Sequence, residues 1–115
     1  MYHGEASQED FLVLTGECVV LIEGEERRLG PWDFVHCPPW TEHIFVGAGD
    51  GPCAILMVGV RSADEQIHYP VSELAEPYGA SAKEETSDYE QAYRDAGFAR
   101  SRRGRPSDWD RLPWA

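Results

Sequence analysis

This sequence of 115 residues lacks several features by which common functional classes are identified. No apolar run reaches the roughly 18 residues that a membrane-spanning helix needs. The opening residues are polar and acidic, unlike those of a signal peptide. A glycine-rich phosphate loop, a dinucleotide-binding glycine pattern and a serine–histidine–aspartate arrangement are all missing. These absences predict no membrane partner and argue against nucleotide-dependent or serine-nucleophile chemistry.

Cysteine is scarce and basic residues are few. Cys18, Cys37 and Cys53 are odd in number and lack metal-site spacing, so we expect reduced, buried thiols in a cytoplasmic protein. Ten Lys and Arg residues stand against 21 Asp and Glu, a net charge of −11. An acidic surface repels phosphate backbones, so we expect no nucleic-acid partner. The arginine-rich run at 100–106 could contact an acidic partner, but we interpret it as a solvated tail.

Short apolar runs alternate with turn residues from Asp10 to about Arg61. Spacings of roughly 8–12 residues are typical of an antiparallel barrel or sandwich. Several runs are apolar on both faces, which predicts a sheet covered by a second sheet on one side and by a partner or the tail on the other. The predicted strands are Phe11–Leu14, Cys18–Ile22, Arg27–Leu29, Phe34–Cys37, Ile44–Val46 and Ala54–Val58.

Residues 62–115 have a different composition and are predicted to form an irregular, partly helical extension that packs on the barrel without being a separate domain. A first short helix is predicted from Pro70 to Glu76, ending before Pro77. The Ser87–Glu90 segment has the spacing of a capping box, and a second helix should run to Ala96. Trp109, Leu112 and Trp114 could pin the end of the chain to the barrel.

The most informative segment spans residues 30–47. A turn at Gly30–Asp33 opens an apolar strand, Pro38 and Pro39 break it, and His43 begins the next strand. This order resembles the second signature of the cupin family. Trp40 stands where that signature usually has glycine. Because glycine tolerates positive φ and tryptophan does not do so readily, we expect this turn to adopt another conformation.

The first cupin signature, two histidines, a glutamate and a glycine, resembles the series His3, Glu5, Glu9 and Gly16, with Glu5 in place of the second histidine. The two ordered motifs imply an all-β fold, a small antiparallel jelly-roll-like cupin barrel over residues 1–61. Cupins usually have strands before the first signature, whereas Met1 is two residues before His3. We therefore expect missing N-terminal strands or a homodimer that covers the edge.

The resemblance implies that His3, Glu9 and His43 are metal ligands, and Glu5 occupies a ligand position with a different donor. On a strand, His3 and Glu5 leave the same face. Two imidazoles and two carboxylates suit a divalent transition metal, Mn(II), Fe(II), Ni(II) or Zn(II). The alternative is an exposed His3 and a metal-free barrel.

Four further residues are expected to line the pocket. Phe45 shares the face of His43, and Tyr2 is a lip residue or a proton donor beside His3. The indole of Trp40 could cap the barrel mouth. Alternation points only one of His36 and Cys37 inward, and we assign His36 to the pocket, in a structural role.

Three functions fit this sequence. The leading one is a metal-dependent cupin that binds or transforms a small organic molecule inside the barrel. The second is a non-catalytic small-molecule binder or sensor without metal. The third is a structural homodimer whose vestigial pocket is filled by side chains such as Phe45 and Met57.

Overall fold

The computed structural model of this chain describes residues 1–60, 64–94 and 96. Eight strands, one 3₁₀ helix and one α-helix follow one another in this part of the chain, which confirms the all-β prediction. The strands are β1 Gly4–Glu5, β2 Glu9–Thr15, β3 Cys18–Ile22, β4 Glu25–Leu29, β5 Phe34–Cys37, β6 His43–Gly47, β7 Ala54–Gly59 and β8 Ile67–His68. The 3₁₀ helix is Glu76–Tyr78, and α1 is Tyr89–Tyr93.

The strands form three antiparallel sheets. One has the order β5-β2-β7, the second β4-β3-β6, and the third pairs β1 with β8. An isolated bridge between His3 and His43 joins the start of the chain to β6. The 62–115 extension therefore contributes β8 to a sheet with the first signature, which the sequence did not predict.

Two Pro-Trp turns position the strands on either side of β5. In Gly30–Asp33 and in Pro38–Thr41, the amide of the fourth residue donates to the carbonyl of the first at 3.1 Å. Trp32 and Trp40 occupy the third position with φ of 74° and 66°. Proline second and positive φ third are the features of a type II turn. The expectation that Trp40 would change the turn is wrong, because tryptophan adopts here the conformation for which glycine is usually required.

The core has two layers. Between the two three-stranded sheets lie residues such as Phe11, Val13 and Val20, each at most 3% exposed. On the outer face of β3, Val19 and Leu21 pack against residues of the extension. This second cluster also contains Tyr2, Ala75 and Ala80. The extension thus buries the second apolar face of β3, which explains why this strand is apolar on both sides.

The first predicted helix of the extension is not formed as expected. No helix spans Pro70–Glu76 in the described residues; a 3₁₀ turn forms at Glu76–Tyr78 and includes Pro77. Proline is tolerated there because the first turn of a helix uses no N–H of its own. The second helix is present but shorter, and its cap is Asp88, whose carboxylate accepts from the Gln91 amide at 3.0 Å.

Gly97 and the residues 100–115, for which a helix stop, a solvated tail and tryptophan anchors were predicted, lie outside the described residues. In the part of the chain that is described, no helix has the length and hydrophobicity to cross a bilayer.

Candidate metal centre

Three residues from distant positions converge at the junction of the two larger sheets. Ligand atoms of His3, Glu9 and His43 all lie within 4.8 Å of one another. The Glu9 Oε2 atom is 3.2 Å from His43 Nε2 and 4.0 Å from His3 Nε2. The His3–His43 bridge fixes the first strand beside β6, and β2 brings Glu9 from the opposite sheet.

Both imidazole rings are held with Nε2 toward the centre. His3 Nδ1 donates to the Met1 carbonyl at 2.7 Å, and His43 Nδ1 donates to the Thr41 carbonyl at 2.9 Å. A carbonyl oxygen can only accept, so the proton is on Nδ1 and the Nε2 lone pair is left for a ligand when the ring is neutral. Metal-binding histidines are commonly fixed in this manner.

Glu5 lies beside this group without joining it. Its Oε1 atom is 3.3 Å from His3 Nε2, but its carboxylate is not one of the mutually close ligand atoms. Burial, a hydrogen bond with the Glu65 carboxyl and the nearby charge of Glu9 raise the pKa of Glu5 to about 7. Glu5 is therefore placed to hold or release a proton next to the centre.

The two histidines differ in electrostatics. Burial is the main effect that lowers the pKa of His3, so its neutral ring is favoured at neutral pH. Burial opposes the charge on His43 as well, but hydrogen bonds with the Cys37 thiol, the Glu9 carboxylate and the Thr41 carbonyl raise its pKa to about 10. Without a metal, His43 is an imidazolium that neutralises Glu9.

The strand β5 presents Cys37 to the centre and His36 to the outside. Cys37 is 1% exposed and pairs with Glu9 across the strands, while the His36 side chain is 49% exposed and its Nδ1 is 2.7 Å from Asp10 Oδ1. The assignment of His36 to the pocket is corrected: the register of β5 against β2 turns the cysteine inward.

Aromatic rings line the centre on two sides. Phe11 contacts His43 with ring centroids 5.1 Å apart and Phe45 at 4.4 Å. Phe45 lies edge-on to His43 at 6.1 Å, on the expected face. From the extension, Tyr69 packs against the His3 ring at 5.8 Å. The centre therefore has an apolar wall behind the ligand atoms.

Two other pocket expectations have different outcomes. Tyr2 is 3% exposed and belongs to the cluster on the outer face of β3, so it is not a lip residue. Alternation explains this, because adjacent residues on an extended segment point to opposite faces. Trp40 is 50% exposed, and its amide donates to the Glu5 carbonyl at 2.6 Å, so this turn sits against β1.

The donor set fits a divalent transition metal. Two imidazole nitrogens with one carboxylate on one side of a centre leave further positions for solvent or substrate, as in octahedral sites of this composition. Side-chain exposure of 16% for His3 and 20% for Glu9, against 3% for His43, shows that the centre is reached from the side of the first two residues.

The fold and the site together define a cupin-type barrel with a centre of mixed histidine and carboxylate ligands. Residues 1–59 match the sequence model of the cupin domain. The chain belongs to the cupin family. A comparison with curated protein sequences gives no significant match.

Several solved structures resemble the chain, two of them as follows. A protein from Silicibacter pomeroyi, described as a sugar phosphate isomerase of the cupin superfamily, shares 28% identity with a TM-score of 0.58 over 64% of this chain and 47% of its own. A protein from Acidithiobacillus ferrooxidans, provisionally described as a sugar phosphate isomerase, shares 25% identity with a TM-score of 0.55 over 57% of this chain and 44% of its own. The chain spans less than half the length of each.

Several residues of the site escaped the sequence interpretation. Phe11 had a signal, because it follows Glu9 by two positions on one strand and must share its face. For Cys37 the sequence was ambiguous. Alternation shows that one of His36 and Cys37 points inward, but without the strand register it does not show which. Glu65 and Tyr69 had none, because only the folding of the extension onto β1 brings them to the centre.

Proposed function

We propose that this protein binds a divalent transition metal through His3, Glu9 and His43 and acts there on a small oxygen-rich organic molecule. The observation that carries the proposal is the convergence of the three ligand atoms, with both Nδ1 atoms engaged by backbone carbonyls. A metal bound at this centre would polarise oxygen atoms of the molecule.

The residues around the centre have separable tasks in this proposal. His3, Glu9 and His43 hold the metal, and Phe11 and Phe45 exclude water from the inner side. Glu5 has its Oε1 atom 3.3 Å from His3 Nε2 and serves as the group that takes and returns a proton.

The reaction class that we favour is isomerisation by proton transfer in a hydroxy-carbonyl compound. The descriptions of the two solved relatives as sugar phosphate isomerases support this class over oxidation. In this reaction Glu5 would take the proton from the carbon that bears the hydroxyl group and return it to the former carbonyl carbon, while the hydroxyl proton would pass to the former carbonyl oxygen. We propose a cytoplasmic location, in agreement with three cysteines that are all free thiols.

A metal-free binding protein is the second candidate, and a cavity favours it. The cavity has a volume of about 500 Å³ and lies between the extension and the N-terminal residue, with Met1, Lys83, Gln91 and Arg94 among its lining residues. Its volume is sufficient for a small organic ligand. Its lining has two basic side chains, Lys83 and Arg94, and two acidic ones, Glu76 and Glu84, so the charge of the cavity favours neither sign of ligand.

Metal binding is tested with protein purified without a histidine tag. Mn(II), Fe(II), Ni(II) and Zn(II) are offered separately, and the bound metal is measured after gel filtration. His43→Ala should lose at least tenfold in affinity while the barrel stays folded. His36→Ala is the matched control, because this histidine also faces a carboxylate but lies on the outer face. If the wild-type protein retains none of the metals, the proposal is contradicted and the metal-free binding protein becomes the favoured function.

Isomerisation is tested separately from metal binding. The metal-loaded protein is incubated in D₂O with pentose and hexose phosphates and with the unphosphorylated sugars, and carbon-bound deuterium is followed by NMR. Glu5→Gln should abolish exchange while keeping the metal. If the protein binds metal but no sugar incorporates deuterium, the isomerase proposal is contradicted and the proposed metal centre stands.

A further inference from the structure

Two of the three cysteines are in contact, although they are far apart in the sequence. Cys18 begins β3 and Cys53 directly precedes β7, and their thiol groups are hydrogen-bonded to each other. The backbones are close here as well, since a Cβ atom on Gly16 would lie 2.8 Å from the Cys53 Cα atom. Both thiols are free in this structure. Cysteines held this close can be joined by a disulfide with little backbone movement.

The pair lies between the two larger sheets, at the end of the barrel remote from the candidate metal centre. Cys18 lies opposite Gly47, the last residue of β6, and His43 is the first residue of that strand. Cys53 precedes β7, whose first residue pairs with the last residue of β2, the strand that begins at Glu9. A bond between the two sulfur atoms would therefore connect the sheets that carry the metal ligands.

The two thiols differ in accessibility and in ease of ionisation. Cys18 is fully buried, whereas Cys53 is partly exposed. Burial raises the pKa of the Cys18 thiol to about 12. Burial also raises the pKa of Cys53, but the hydrogen bond from Cys18 stabilises the Cys53 thiolate and acts in the opposite direction. An external reagent therefore reacts first with Cys53, and Cys18 reacts only with a group already attached to Cys53.

We propose that Cys18 and Cys53 form a reversible disulfide, by exchange with a small disulfide such as oxidised glutathione, and that this bond stabilises the barrel. The Cys53 thiolate attacks one sulfur of the small disulfide, whose S–S bond breaks. The first small thiol leaves and takes up the proton that Cys53 lost. The Cys18 sulfur then attacks the Cys53 sulfur of the mixed disulfide and displaces the second small thiol, which takes the Cys18 proton. The two cysteines are oxidised, and the small disulfide is reduced to two thiols.

The bond would act mainly on the unfolded chain. It closes a loop of about 35 residues, which restricts the unfolded state and so favours the folded one. In a reducing compartment it would form only when small disulfides accumulate. The barrel would then resist unfolding better under oxidising conditions than under reducing ones.

The third cysteine provides an internal control. Cys37 is 1% exposed, and its thiol is hydrogen-bonded to His43 at the candidate metal centre. It is as deeply buried as Cys18 but lies at the other end of the barrel. It should therefore stay reduced under conditions that oxidise the pair.

The test is oxidation of the full-length protein with oxidised glutathione, followed by alkylation of the remaining thiols under denaturing conditions and peptide mass spectrometry. Each chain should lose two hydrogen atoms and contain Cys18 linked to Cys53, with Cys37 alkylated. The urea midpoint of unfolding should rise by about 1–2 M and return to its original value after reduction. Three alkylated cysteines after prolonged oxidation overturn the proposal. A disulfide that includes Cys37, or a Cys18–Cys53 bond that leaves the midpoint unchanged, overturns it as well.

Two variants separate the steps of the exchange. Cys53→Ser changes a partly exposed side chain, and this variant should keep both remaining thiols and show no change of midpoint with the oxidant. Cys18→Ala should instead accumulate glutathione on Cys53, because no second thiol displaces it. A rise of the midpoint in Cys53→Ser equal to that of the wild type contradicts the proposal. If Cys18→Ala does not fold, Cys53→Ser and the peptide mapping of the wild type still decide the outcome.

Discussion

The Oε2 atom of Glu9 lies 3.2 Å from the Nε2 atom of His43, although the two residues begin strands in different sheets. This contact exists only when the two sheets face each other. In the metal-free protein it joins a carboxylate to an imidazolium, and a bound metal would take the place of the proton between them. The candidate centre therefore depends directly on closure of the barrel.

Metal affinity should rise with pH, because a proton must leave His43 before its Nε2 atom can bind. The pKa of His43 is raised to about 10, whereas that of His3 is lowered, so at neutral pH one histidine proton is displaced for each metal. The apparent Zn(II) affinity should increase about tenfold per pH unit from pH 6.5 to 8.5. Calorimetry in buffers of different ionisation enthalpy measures the released proton. Affinity that is independent of pH in this range, in wild type and in the His36→Ala control, contradicts the assignment.

Glu5→Gln should stabilise the metal-free protein at pH 8. The folded-state pKa of Glu5 is raised from 4.5 to about 7, so folding favours the neutral form. Its contribution to stability is fully present below pH 4.5 and is lost as the pH rises through 7. Glutamine stays neutral, so the variant should gain about 1 kcal/mol in unfolding free energy at pH 8, after allowance for solvent screening. Urea unfolding at pH 4.5 should show no gain, and the exposed Glu73→Gln control should show none at either pH.

Gly16→Ala should be far more destabilising than Gly24→Ala, although both glycines have positive φ, 76° and 79°. A Cβ atom on Gly16 would lie 2.8 Å from the Cys53 Cα atom and even closer to the Pro52 carbonyl oxygen, whereas a Cβ atom on Gly24 meets nothing within 4 Å. The expected losses are roughly 3 kcal/mol or more at Gly16 and about 1 kcal/mol at Gly24. Denaturant unfolding measures both. Equal losses would show that the loop before β7 moves away freely.

Trp40→Gly should be more stable than Trp40→Ala. Both variants lose the half-exposed indole, so their difference isolates the cost of φ at 66° for a residue with a Cβ atom. We expect glycine to be favoured by about 1 kcal/mol. At positions with negative φ an alanine variant is usually more stable than a glycine variant. Thermal unfolding of the two variants therefore shows whether the positive φ of residue 40 reverses this order. An alanine variant that is equal to or better than the glycine variant would mean that the Pro38–Thr41 turn changes conformation when the indole is removed.

The sequence by itself determined the strand pattern and pointed to the residues of the candidate metal centre. Alternation between turn residues and apolar runs placed β2 to β7 within a few residues, because a half-buried strand must alternate its side chains whatever its partners are. The resemblance of the two signatures to those of the cupin family pointed to His3, Glu5, Glu9 and His43, and the structure brings ligand atoms of His3, Glu9 and His43 together. The positions of the tight turns were also visible, because proline presets the φ of the second turn residue, but the conformation of the Trp40 turn was not.

Tertiary structure decided the rest. The register of β5 against β2 turns Cys37 inward and His36 outward. A shift of one residue would exchange the two faces of β5, and no local preference of the sequence prevents that shift. The extension placed Tyr69 beside His3 and covered Tyr2 on the outer face of β3, through contacts between residues more than 60 positions apart. Trp40 adopted a left-handed conformation against its own preference, at a local cost of about 1 kcal/mol, in a turn whose Trp40 amide donates to the Glu5 carbonyl of β1. Local preferences fix where strands and turns lie along the chain, but only the packing of distant segments fixes which side chains meet.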